Sequence, residues 1–288
     1  MKWRRGYKSE HTEDRRRRPG AGAAAVGGGG ILAVIAALVF GGGLFGSGGF
    51  DLDSTLEQFG SGGASAPQAQ QNQLDDAPDP DAELASFSQF VFDDAQTTWD
   101  ELFGAAGIDY PEARLVLFTG STQSGCGGAT AQIGPHYCPT DQTVYLDLDF
   151  FRDLSSRFGA SGDFAAAYVI GHEVAHHVQN VTQVMDEVRR LQQANPADRN
   201  PLSVRLELQA DCLAGVWARS TFERDLLEQG DLEEAFTAAE AVGDDRIQQQ
   251  ATGMINEESW THGSSAERVQ WFEEGFQTGD PNRCDTFG

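Results

Sequence analysis

Apolar positions recur at helical spacing between Leu84 and Ala106, where Phe87, Phe90, Val91, Ala95, Trp99, Leu102 and Phe103 share one side of a 3.6-residue repeat. This spacing predicts an amphipathic helix. After Pro111 the pattern changes. Arg114–Thr119 and Thr143–Leu148 are short runs rich in β-formers and predict two strands. The stretch between them, Gly120 to Pro139, is glycine-rich and reads as a loop. A short helix is expected over Asp149–Phe158. Ser161-Gly162-Asp163 offers an N-cap for a longer helix from about Phe164 to Ala194. Asn195–Pro201 breaks the pattern, another helix follows from about Ser203 to Leu227, and the remainder also reads as helical. Few strands and many helices give an α+β domain that is mostly helical, with a small β-sheet.

The first part of the chain has a different character. Residues 1–20 are basic, with Lys2, Arg4, Arg5, Lys8 and Arg15–Arg18. Residues 21–46 are nearly free of polar side chains, with the core Ile31-Leu32-Ala33-Val34-Ile35-Ala36-Ala37-Leu38-Val39-Phe40 flanked by glycines. Glycine and alanine extend this core to about 20 residues, the length that spans a bilayer. The expectation is one uncleaved transmembrane helix, with a cleaved signal peptide as the rival reading. By the positive-inside rule, residues 1–20 would be a cytoplasmic tail. Residues 47–81 are rich in Gly, Ser, Gln, Asp and Pro and read as a flexible linker. The ordered domain is expected over residues 82–288, outside the cytoplasm.

Charge and cysteines refine this picture. The chain carries 44 acidic against 20 strongly basic residues, a formal net charge of -24. No lysine follows Lys8. A body this acidic repels phosphate, so nucleic-acid binding is not expected. The cysteines are four, Cys126, Cys138, Cys212 and Cys284. An even number in an exported domain suggests disulfides, and four cysteines allow three pairings. Cys126 and Cys138 flank a short loop and form the natural local pair. Cys212 with Cys284 would then tie the C-terminal tail to a helix.

The chemistry is concentrated at His172-Glu173-Val174-Ala175-His176. Histidines four apart on a helix lie on one face and can share one zinc ion. Glu173 sits at a different angle, from which a carboxylate can act on a metal-activated water instead of on the metal. The chain has six histidines, and three of them, with His177, fall in this stretch. His177 points away from the His172/His176 face and is expected as a surface or supporting residue. A catalytic zinc needs a third protein ligand. No third histidine follows in Val178–Thr182, so a carboxylate on a later helix is expected. Glu207 and Asp211 are four apart on such a helix. Glu207 is assigned to zinc, and Asp211 to orienting a ligand histidine.

These residues resemble the bacterial "putative neutral zinc metallopeptidase" family. The resemblance rests on His172–Gln179, on Glu207–Trp217, on Gly134–Pro139 with Asp141–Asp147 upstream, and on Thr261–Val269 with Trp271-Phe272 and Gly275-Phe276 downstream. The pattern is similar to the gluzincin branch of the zincins and implies a minimal zincin-like domain with one Zn2+ per chain. In that branch a histidine followed six residues later by arginine lies near the active site, and His262 and Arg268 match this spacing. The likeness implies that His262 hydrogen-bonds the oxyanion and that Arg268 orients an active-site carboxylate. His136 departs from the pattern, standing where an aromatic residue is expected, and is read as a surface residue.

The expectation is therefore a membrane-anchored, zinc-dependent endopeptidase acting on peptide or protein substrates outside the cytoplasm, with Glu173 as general base. The alternatives are a zinc-binding envelope protein or binding module without catalysis, a structural helix without metal, and hydrolysis of a bond other than a peptide.

Overall fold

The computed structural model describes residues 1–16, 79–130 and 134–288. Helix α1 (Ala82–Ala105) carries the amphipathic pattern and buries Phe87, Val91, Phe92, Ala95 and Trp99. Strands β2 (Arg114–Phe118) and β6 (Thr143–Asp147) pair in parallel, with Leu115 opposite Val144 and Leu117 opposite Leu146. Both are almost wholly buried, as parallel strands covered on both faces are. The intervening loop holds more structure than its glycines suggested. An antiparallel hairpin, β3 (Ser121–Ser124) and β4 (Gly127–Thr130), is followed by β5 (His136–Cys138), which adds antiparallel to β6. A disulfide between Cys126 and Cys138 ties the hairpin to β5.

The main sheet has the order β1-β2-β6-β5, and its first strand comes from an unexpected place. β1 is Thr12–Asp14, and it pairs in parallel with β2 through Thr12–Leu115 and Asp14–Leu117. The residues before it also pack on the domain. The Met1 amino group lies 2.7 Å from Asp163, Trp3 packs edge-on against Phe87, and the Tyr7 hydroxyl donates to Asp93 at 2.8 Å. Residues 1–16, expected to belong to a separate basic tail, are instead part of the body formed by residues 82–288. Several of their basic side chains pair with carboxylates near and far: Lys2 with Asp225, Arg5 with Glu83, Arg15 with Glu13, and Arg16 with Asp14 and Asp79. The expected anchor, residues 21–46, and nearly all of the expected linker, 47–81, lie outside the described residues. Among the described residues no helix is long and apolar enough to cross a membrane.

Among the described residues seven more α-helices follow: α2 (Leu148–Ser156), α3 (Asp163–Val181), α4 (Val184–Ala194), α5 (Arg199–Glu223), α6 (Asp231–Ala241), α7 (Asp244–Thr252) and α8 (Ser265–Thr278). The long helix expected from Phe164 to Ala194 is divided, because Gln183 takes a left-handed conformation (φ 66°) and starts α4 afresh. Nor does its start use a local side-chain cap. Glu234 of α6 reaches across and accepts from the Phe164 N–H at 3.0 Å.

Helix α3 is central and packs on α1, α5 and α6. Gly171 gives Trp217 of α5 its place, since a Cβ there would lie 2.6 Å from the indole. Helices α5 and α8 cross at a still closer point. A Cβ on Gly215 would lie 2.1 Å from the Phe272 carbonyl oxygen, and one on Gly275 would lie 1.9 Å from that of Cys212. Real Cβ atoms do not approach backbone so closely, so this crossing is open only to glycine on each side.

Candidate metal centre

Helix α3 brings His172, Glu173 and His176 inside the protein, and all three are buried. Helix α5 supplies Glu207 opposite them. His172 Nε2 lies 3.1 Å from Glu207 Oε2, and His176 Nε2 lies 3.5 Å from Oε1. The three potential ligand atoms of His172, His176 and Glu207 fall within 4.8 Å of one another. Each histidine has its other nitrogen committed. His172 Nδ1 donates to Asp211 Oδ1 at 2.8 Å, and His176 Nδ1 donates to the Gln179 side-chain oxygen at 2.7 Å. With Nδ1 of both rings committed in this way, both Nε2 atoms face the Glu207 carboxylate, where a metal would take the place of any Nε2 proton. Two nitrogens and one oxygen in this arrangement fit a single zinc ion, whose tetrahedral coordination takes one ligand more.

Asp211 is the hub of the surrounding network. It is fully buried. It accepts from His172, from the Tyr168 hydroxyl at 2.5 Å, and from Arg268 through Nε at 2.8 Å and Nη2 at 3.0 Å. Arg268 also donates to the Tyr168 hydroxyl and to the Val242 carbonyl. Burial alone would raise the Asp211 carboxyl, but Arg268 and His172 hold it below its ordinary value. Burial likewise works against a proton on His172, yet Asp211 and Glu207 push that ring up to about 10. Burial raises Glu207 too, and the His176 and His172 rings outweigh it, leaving the carboxylate well below its ordinary range. Both carboxylates are thus held charged, and without a metal the rings and the Arg268 guanidinium carry the compensating positive charge.

Glu173 stands apart from this network. Among the described residues no hydrogen bond or ion pair holds its carboxylate, although the residue is only 7 % exposed. His262 lies on the loop before α8, and its charge and that of Glu207 stabilise one another. Its Nδ1 faces Asp244 Oδ1 at 3.3 Å. The other oxygen of Asp244 accepts from the backbone N–H groups of Thr261, His262 and Gly263, so one buried carboxylate fixes both the loop and the ring.

Two expectations about histidines change. His177 is not at the surface but fully buried. Its Nε2 donates to the Pro111 carbonyl at 2.5 Å, and its Nδ1 accepts from the Tyr137 hydroxyl at 2.9 Å, joining α3 to the sheet. Burial accordingly lowers its pKa. His136 is half-buried and stacks on Tyr145, with ring centroids 5.1 Å apart. This flat packing is what an aromatic residue would provide at that position. Tyr168, Gln179, Gln209 and Asp244 were not anticipated as site residues. Spacing gave a signal for two of them: Tyr168 precedes His172 by one helical turn, and Gln179 follows His176 by three residues.

A helix-borne His-Glu-x-x-His whose histidines face a glutamate of a later helix defines the class of zinc metallopeptidase sites. The whole chain fits that class. Residues 1–287 match the family described as "Putative neutral zinc metallopeptidase", and the chain belongs to this family. The match includes residues 1–16, in keeping with their place in the sheet. Among relatives, the chain is 48% identical over 223 residues to the uncharacterised protein YpfJ of Escherichia coli K12, covering 77% of this chain and 78% of that one. It is 49% identical over 189 residues to the uncharacterised protein Rv2575 of Mycobacterium tuberculosis H37Rv, covering 62% of this chain and 63% of that one. No solved structure matches the chain.

Proposed function

We propose that this protein is a zinc-dependent endopeptidase, with His172, His176 and Glu207 holding the metal. The observation that carries the reading is the convergence of those three ligand atoms beside the buried Glu173, whose carboxylate no other described residue engages. A purely structural zinc site is closed by four protein ligands, whereas the described residues offer three here. Zinc, when bound, supplies Lewis-acid chemistry, acidifying water and polarising a carbonyl. Glu173 accepts the proton released from the attacking water and returns it to the leaving amine. His262, oriented by Asp244, donates a hydrogen bond to the oxyanion that develops on the peptide carbonyl. Asp211 and Gln179 hold the two histidine rings, and Arg268 holds Asp211.

The substrates in this reading are peptides or proteins, and the acidic surface disfavours nucleic acid. Two disulfides support an oxidising compartment. The pairing of β1 with β2 supports placing residues 1–16 on the same side of any membrane as the domain, so a cytoplasmic tail with an exported domain is not part of the proposal.

The test is zinc stoichiometry of the full chain together with cleavage of a peptide library. One zinc per chain, lost in His172→Ala and Glu207→Ala, with chelator-sensitive cleavage, is the expected result. Bound zinc without cleavage of any peptide would replace the enzyme with a zinc-binding protein. A folded chain that takes up no zinc would remove the site.

A further inference from the structure

The hydrogen bond that orients His176 does not end at Gln179. The Gln179 side-chain nitrogen donates to the Leu206 carbonyl at 2.7 Å and to the Gln209 side-chain oxygen at 3.0 Å. The Gln209 nitrogen donates in turn to the Cys284 carbonyl at 3.0 Å. Cys284 is buried and bonded to Cys212, 72 residues earlier on α5, and just beyond it Thr286 donates to the Arg205 carbonyl. A continuous line therefore runs from the ring of a candidate ligand to the C-terminal tail.

The polarity of this line is forced. A glutamine amide has one accepting and one donating end, and either can be turned toward a neighbour. Backbone carbonyls can only accept. The Leu206 carbonyl fixes the donating end of Gln179, and the Cys284 carbonyl fixes that of Gln209. The oxygen of Gln209 must then face Gln179, and the oxygen of Gln179 must face His176. His176 Nδ1 is left only the donor's part, which keeps the lone pair on Nε2, the nitrogen that faces Glu207.

We propose that Gln179 and Gln209 are positioning residues for the metal: the Leu206 carbonyl sets the polarity of Gln179, and the disulfide-anchored tail, through Gln209, steadies its aim at His176. This rests on the zinc reading of the site. It assigns the C-terminal disulfide a part in metal retention as well as in stability. With the tail released, Gln209 loses the carbonyl that holds its amide in place, and Gln179 keeps the Leu206 carbonyl as its one firm acceptor. His176 is then held less firmly in the binding form.

The test is zinc affinity of the full chain, by competition with a chromogenic chelator, for wild type, Gln179→Leu, Gln209→Leu and the double variant. Thermal unfolding of the metal-free proteins is read alongside. Removing a group that orients a metal ligand weakens binding about 10- to 100-fold, and this is expected for Gln179→Leu. Gln209→Leu touches neither metal nor histidine, yet is expected to weaken zinc binding about 3- to 10-fold. The double variant should be no weaker than Gln179→Leu, because members of one line are not additive. Cys212→Ser/Cys284→Ser should match Gln209→Leu, and adding Gln209→Leu to it should cost nothing more. Should Gln179→Leu or the cysteine variant fail to fold, Gln209→Leu decides alone. Wild-type zinc affinity in Gln209→Leu, or penalties that multiply in the double variant, would overturn the relay and leave the zinc site standing. A wild-type chain that binds no zinc would remove both.

Discussion

Arg268 grips Asp211 at two points inside the protein, Nε to Oδ2 at 2.8 Å and Nη2 to Oδ1 at 3.0 Å. Both groups are buried, and the pair joins α8 to α5 directly behind His172. Removing one member of a buried pair strands the other and costs about 3–5 kcal/mol. Arg268→Met should therefore lower stability by about that amount in chemical denaturation. Arg268→Lys should recover little of it, because an ammonium cannot make the two parallel bonds. The same variants should also bind zinc more weakly, since Asp211 would no longer be held against His172.

Glu173 offers a cleaner separation of binding from chemistry. It belongs to neither the ligand set nor the network behind it. Glu173→Gln preserves shape and removes the base. Zinc content should stay at the wild-type value while cleavage falls by about 10²- to 10⁴-fold, the usual contribution of general acid–base catalysis. Peptide cleavage near the wild-type rate in that variant would exclude Glu173 as the base.

The pair Asp244 and His262 has a defined pH signature. Burial would raise the Asp244 carboxyl, but His262 and the backbone N–H groups of His262 and Thr261 hold it below its ordinary 3.8. A depressed carboxyl gives stability that is present above 3.8 and is lost as pH falls through the folded value. Burial works against the charged His262 ring, and Asp244 and Glu207 nonetheless raise it above 6.5. A raised histidine gives stability that is complete below 6.5 and is lost as pH rises through the folded value. Asp244→Asn should thus be most destabilised relative to wild type between 3.8 and 6.5, with the gap closing on either side. Urea midpoints of the metal-free proteins across that range provide the measurement, and a gap independent of pH would contradict it.

The crossing of α5 and α8 depends on two glycines that carry no chemistry. Gly275→Ala would place a methyl group 1.9 Å from the Cys212 carbonyl oxygen. The helices must separate, at a cost of about 3 kcal/mol or more. Arg268 lies two turns from Gly275 along the same helix, so the displacement should also reach its contact with Asp211. The expected result is a lower unfolding temperature together with weaker zinc binding. Gly104→Ala, where a Cβ meets nothing within 4 Å, serves as the control.

Periodicity and spacing determined much of this protein. The 3.6-residue repeat placed α1, the β-forming runs placed β2 and β6, and four-residue intervals put His172 beside His176 and Glu207 beside Asp211. Such features are local: a helix of known pitch fixes which neighbours share a face, whatever surrounds it. Tertiary structure alone decided the rest. β1 becomes a strand only because the β2 edge lies open beside it, and its three residues carry too little pattern to announce it. The glycine-rich loop hides a hairpin whose pairing is enforced by partners, not by propensity. Glu234 caps α3 from 70 residues away, and Gln209 reaches His176 only through Gln179. The sequence could name the atoms that would meet a metal, because their spacing lies within single helices. Which side chains aim those atoms depends on contacts between helices, and these exist only once α3, α5, α8 and the C-terminal tail have packed together.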